Sequence, residues 1–118
     1  MAFTIDEFVR VRPYAFHLTA RVNKARIQRT GMLHPASHVL AAGGQPGLVT
    51  VRRRSCIDVP INGEVVQVRD QAPLHEGNIA FQGGWQMANV IQELNERVFF
   101  WPGGKDRAIA YAHRHFAR

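Results

Sequence analysis

Tyr14-Ala15-Phe16-His17-Leu18-Thr19, running on through Ala20-Arg21-Val22-Asn23-Lys24-Ala25-Arg26-Ile27-Gln28-Arg29-Thr30 to Gly31-Met32-Leu33, is the stretch on which the reading of this chain turns. Tyr14, Phe16 and Leu18 alternate with Ala15, His17 and Thr19. A period of two in strand-forming residues predicts a short strand over 14–19, with His17 and Thr19 on the same face. From Ala20 the residues become good helix formers with Val22 and Ile27 as apolar anchors, and Gly31 sits where a glycine ends a helix. The expected unit is strand, helix, glycine stop.

Upstream, Thr4 and Glu7 have capping-box spacing ahead of Phe8 and Val11, which predicts a first helix ended by Pro13. Downstream, Pro35–Gly43 reads as a two-turn helix closed by glycine, and 43–47 as a loop. Leu48–Val51 reads as a strand or a further helical turn, running into Arg52-Arg53-Arg54. Three adjacent arginines cannot all point one way on a regular element, so at most two meet one ligand. They form either a solvated charge cluster or a phosphate contact.

Ser55–Ile61 and Glu64–Arg69 flank Asn62-Gly63, which supplies both positive φ angles of a type I′ turn. This predicts a hairpin whose inner face carries Ile57, Val59, Ile61, Val66 and Val68. Residues 69–78 are polar and irregular, as functional loops often are, and Arg69, His75 and Glu76 are its candidates for substrate contact. The ordinary alternative is a turn in which Asp70 caps nearby amides. Trp85, Met87, Val90, Ile91 and Leu94 recur at helical spacing and predict an amphipathic helix over 85–97, with Trp85 and Met87 in the core. Val98–Trp101 reads as an apolar strand, Pro102-Gly103-Gly104 as a turn, and Asp106–His115 as the last helix.

At 118 residues the chain is long enough for one domain and its core. It lacks an apolar run of membrane-spanning length and a signal-like N-terminus, so a cytoplasmic protein is expected. The single cysteine, Cys56, rules out an intrachain disulfide and reads as a small core residue. Fifteen basic against nine acidic residues give a net charge of +6. Thirteen of the fifteen are arginines, whose planar fork suits phosphate. The expected partner is nucleic acid, a dinucleotide or both, unless the surface is merely a solvated basic one. Metal chemistry is not expected: His113 and His115 do not share a helix face, and His34 with His38 lack an obvious carboxylate or cysteine partner.

His17-x-Thr19 at a strand end, leading into a helix that closes with Ile27 and Gly31-x-Leu33, resembles the first motif of the ADP-ribosyltransferase superfamily. The resemblance is closest to the bacterial DNA-targeting ADP-ribosyltransferase toxins and the RNA 2′-phosphotransferases. Val98-Phe99-Phe100, then a turn, then Ala108 with Tyr111 three residues later, resembles the second motif. The two motifs cover about 40 residues. The resemblance implies an α+β fold of short helices around a small, mainly antiparallel sheet, and NAD as the substrate bound.

In that family the first-strand histidine holds a ribose of NAD and the adjacent backbone holds the nicotinamide amide, roles that pass here to His17 and Thr19. The first aromatic of the second motif stacks on nicotinamide, which points to Phe99, or to Phe100 beside it, with Tyr111 completing the motif. Arg52, Arg53 and Arg54, or Arg69, would meet the pyrophosphate. Phenylalanine keeps the ring contact of a tyrosine and loses its hydroxyl. The family's third motif supplies a catalytic glutamate, yet no glutamate follows Glu96 and no acid follows Asp106. Three explanations stand open: a piece of a longer protein, a reduced relative that keeps a nucleotide pocket, or a phosphotransferase-like site of His17, Arg52–Arg54 and Arg69. The rival class is a non-enzymatic basic module that binds nucleic acid or an acidic partner.

Overall fold

The computed structural model describes residues 4–109. Among them are four short α-helices and four strands in two antiparallel pairs, an α+β arrangement. The chain forms two compact units, one from its two ends (up to Leu18, and from Phe99 on) and one from Thr19–Val98.

In the terminal unit, α1 (Ile5–Val11) begins at the expected capping box, with Glu7 N donating to Thr4 Oγ1 at 3.1 Å and Thr4 N to Glu7 Oε2 at 3.3 Å. The reciprocal bonds satisfy amides that a helix start leaves without partners. Strand β1 is Tyr14–Phe16, shorter than the expected 14–19. It pairs antiparallel with β4, Trp101–Gly103, in the register Tyr14 with Gly103 and Phe16 with Trp101. The second strand therefore begins three residues later than the predicted Val98–Trp101 and takes in Pro102 and Gly103, which were expected in the turn.

The expected helix from Asp106 does not begin there. The turn after β4 folds the chain back so that Ala108 bridges Gly103 and Ile109 N donates to Pro102 O at 2.9 Å. Only glycine fits at 103: a Cβ would run into the Arg107 carbonyl oxygen and stand 2.6 Å from Ala108 Cα. The rest of that predicted helix, Tyr111 included, lies outside the described residues.

The central unit is built on the hairpin β2 (Ile57–Ile61) and β3 (Glu64–Val68), closed by Asn62 at φ 51° and Gly63 at φ 80°. Both angles positive is what a type I′ turn demands. Val59, Ile61, Val66 and Val68 are buried together with Val39 and Leu40 of α3 (Ala36–Ala42). Burying each such side chain contributes about 1.5–3 kcal/mol, so this sandwich of one hairpin and one helix is the main source of stability. Gly43 ends α3 directly against the Val59 side chain.

Helix α2 (Lys24–Thr30) is preceded by a 3₁₀ turn, Arg21–Asn23, and ends at Gly31 as expected. Ile27 is half-buried, but Val22 is exposed, because Asn23 takes the inward position of that turn. Pro46–Thr50 is a 3₁₀ turn, the second of the two forms expected for that stretch. Helix α4 runs over Met87–Asn95 and buries Ile91. Trp85 precedes its start and is exposed rather than in the core. Cys56 is exposed too. It falls on the outward parity of β2 with Asp58 and Pro60, opposite Ile57, Val59 and Ile61.

Candidate functional site

In the terminal unit the two strands bring together residues 82 apart in sequence. His17 Nδ1 lies 3.0 Å from the Phe99 carbonyl oxygen. A carbonyl only accepts, so Nδ1 carries the hydrogen and donates it; in the neutral ring Nε2 is then left as an acceptor. The Phe100 ring stands beside the imidazole, centroids 5.6 Å apart and tilted by 53°. Phe99 contributes its backbone to His17, while its own ring, like that of Phe100, is about half exposed. The arrangement is an oriented, half-buried histidine beside two open aromatic faces. Such a group can accept a hydrogen bond from a hydroxyl and stack on a planar ring.

Thr19 belongs to the central unit, where its side chain is engaged. Its Oγ1 accepts from Asn23 Nδ2 at 2.9 Å, and Asn23 also pairs with the backbone of Gln67, donating to its carbonyl and accepting from its N–H, both at 2.8 Å. Asn23 thus behaves as a strand residue laid along the edge of β3. Its burial is explained by complete hydrogen bonding.

The arginine run separates into three environments. Arg53 is buried, with its Nε donating to Arg69 O and its Nη1 to Asn95 Oδ1, both at 2.9 Å. Its backbone is clasped by Gln71, whose Oε1 accepts from Arg53 N at 3.0 Å and whose N donates to Arg53 O at 2.7 Å. Asn95 completes the network, donating to Val49 O at 2.7 Å and accepting from Gln71 Nε2 at 3.2 Å. Burial lowers the Arg53 pKa from its ordinary value, and the nearby Asp70 works against that shift.

Arg52, half-buried, donates to Gln71 O and Ala72 O at 3.3 and 2.7 Å. Arg54 is exposed. The run therefore does not present a triple phosphate fork: two of its members fasten the 69–72 loop through backbone carbonyls. Arg69 is half-buried and supplies one of those carbonyls. In the same loop Asp70 caps Ala72 N at 2.9 Å, the ordinary role expected for it, and His75 and Glu76 lie exposed at its far end.

Sequence reasoning missed Asn95 and Asn23, the two buried amides that lock these elements. Only their polar side chains on the inward faces of otherwise apolar or basic helical segments could have flagged them. Among the described residues no three His, Cys, Asp or Glu side chains gather as a metal centre would need, and no helix is long and apolar enough to cross a membrane.

The fold is that of a small α+β protein with an oriented histidine and half-exposed aromatic side chains beside the pairing of β1 with β4. The model of a family of unknown function, DUF7002, matches residues 13–117, and the chain belongs to that family. No curated protein and no solved structure matches significantly.

Proposed function

We propose that this protein binds NAD through His17 and the aromatic pair Phe99–Phe100, as a protein resembling the ADP-ribosyltransferases. A site of this kind would serve transfer of ADP-ribose to a nucleic acid or a protein. The observation that carries the reading is the His17 Nδ1 contact to Phe99 O. The two segments that resemble the family's first and second motifs meet there, and the contact leaves Nε2 to accept from a ribose hydroxyl. Phe99, half exposed, is free to stack on a nicotinamide ring. No catalytic acid is assigned: after Glu96 the sequence has only Asp106, which is exposed.

Calorimetric titration of the full chain with NAD, beside His17→Ala, tests the proposal. The variant should keep its fold and lose affinity by tenfold or more, since one hydrogen bond of about 1.4 kcal/mol corresponds to a factor of ten. Absent binding in the wild type, or equal binding in the variant, defeats it.

A second reading, a non-enzymatic basic module for nucleic acid or an acidic partner, is favoured by Arg21, Lys24 and Arg54, all exposed in the central unit. It requires affinity for an oligonucleotide that falls steeply with salt and is indifferent to His17→Ala.

A further inference from the structure

No aspartate or glutamate occurs between Glu7 and Asp58. Helix α2, the link after it and α3 therefore bring no counter-charge of their own. The carboxylate they meet is Glu64 at the start of β3. Arg29 engages it with both terminal nitrogens, Nη2 reaching Oε2 at 2.8 Å and Nη1 bonding Oε1, while Arg26 makes only a longer contact, 3.4 Å from Nη1 to Oε2. One carboxylate is shared by two guanidiniums and is held mainly by one. Arg26 is the surplus cation.

His34 lies near enough for the Arg26 charge to act on it, and His38 is its neighbour. Their rings are stacked, with centroids 4.2 Å apart and planes within 14° of each other. A metal ion needs both nitrogen lone pairs aimed at one point about 2 Å from each. Lone pairs lie in the ring planes, so two nearly parallel planes do not converge in that way. Parallel rings can instead offer N–H donors side by side to an anion with several oxygens.

We propose that Arg26, His34 and His38 form a phosphate site in the central unit whose occupancy is coupled to proton uptake, suited to a phosphomonoester or phosphodiester group. The inference stands apart from the NAD reading. The His34 imidazole, stacked on a second ring and within the field of a guanidinium, is disfavoured as a cation. Burial, His38 and Arg26, in that order, hold His34 below its ordinary pKa. An anion that bridges the three groups supplies the missing negative charge, so that bound anion and bound proton each favour the other. Arg26 is a charge that acts on His34, and it shares Glu64, whose own pKa is lowered chiefly by its hydrogen bond to Arg29. Glu64 thus competes with the anion for Arg26.

The test is titration of the full chain with sulfate, whose charge is constant in the range used, from about pH 7.5 to about pH 5.5. The wild type should bind about tenfold more tightly at the lower pH, about half a proton taken up on average over the range, since one full proton gives about tenfold per pH unit. His34→Gln should clearly reduce that dependence, and Glu64→Gln, by releasing Arg26, should tighten binding several-fold at both pH values. Thermal melts show that each variant is folded. Binding independent of pH in the wild type, a pH dependence undiminished in His34→Gln, or weaker binding in Glu64→Gln overturns the proposal. Repeating the series with inorganic phosphate and with an oligothymidylate distinguishes a free phosphate from a strand as the source. The same pattern of variants with either supports the site, and its absence with both refutes it.

Discussion

In the central unit Val59, Ile61, Val66 and Val68 close on Val39 and Leu40, and the polar side chains found among them, Arg53, Asn23 and Asn95, are fully hydrogen-bonded. In the terminal unit the pattern is inverted: Tyr14, Phe99 and Phe100 are each about half exposed, and they accompany a histidine whose orientation is fixed by a backbone carbonyl. Arginine is inside where a loop must be fastened, and phenylalanine is about half exposed beside an oriented histidine. Residue type alone is therefore a poor guide to role in this chain. Burial with partners marks structure in one unit, and exposure with imposed geometry marks the candidate site in the other.

The largest effect that would sharpen this contrast is in the terminal unit. Gly103→Ala puts a methyl into the Arg107 carbonyl and 2.8 Å from Phe16 Cε2, with no flexible side-chain end to yield on the backbone side. The expected cost is about 3 kcal/mol, at the upper end for overpacking. It should appear in denaturant unfolding and, because Trp101 and His17 flank the same strand pair, in loss of NAD binding. A stable variant would show that the β1–β4 pairing does not support the site.

The next effect separates the arginines. Arg53→Met keeps most of the volume but takes a donor from the Arg69 carbonyl and from Asn95 Oδ1, which keeps Gln71 Nε2, at about 2 kcal/mol of stability, whereas Arg54→Gln, at an exposed position, should change stability by less than about 0.5 kcal/mol. Chemical denaturation of the two variants decides the matter. Equal small effects would return the whole run to the surface and revive the phosphate reading for it.

What could be read from the sequence follows the same division. The capping box at Thr4, the Gly31 stop, the α3 helix and the Asn62-Gly63 hairpin rest on local chemistry, on amides to be satisfied and angles to be adopted, and each is present. The inward set of the hairpin followed from its alternation. The environments of Arg52 and Arg53 were not legible, because their partners lie 16 to 42 residues away. Cys56 and Trp85 were misplaced for a different reason: apolar character suggested burial, while strand parity put one outward and the late start of α4 left the other on the approach to the helix. The last helix failed over 106–109 because a glycine-rich turn permits a return bridge that no periodicity signals. His17 with Phe99 came from motif resemblance, and no local pattern would have paired two residues so far apart.

The smallest predicted effect concerns the two histidine settings, one donating to a carbonyl and the other stacked beside a cation. Because the folded state holds His34 below its ordinary pKa, the unfolded chain binds protons more readily there. Stability must then fall as pH drops through the usual histidine range. The Glu64 contribution lies in a different window. Its carboxyl is lowered from its ordinary value, so what it adds is complete above the usual carboxylate range and is lost only in more acidic solution. Between about pH 7.5 and about pH 5.5, in buffer free of phosphate and sulfate, the loss assigned to His34 should stay under about 1 kcal/mol, since the ring is partly solvated. Urea unfolding of the wild type and His34→Gln at the two pH values isolates it as a difference of differences. A wild type that gains stability relative to the variant on acidification would show that the pair already holds its counter-charge within the protein. The cationic environment of His34 would then fail as the distinction between the two settings.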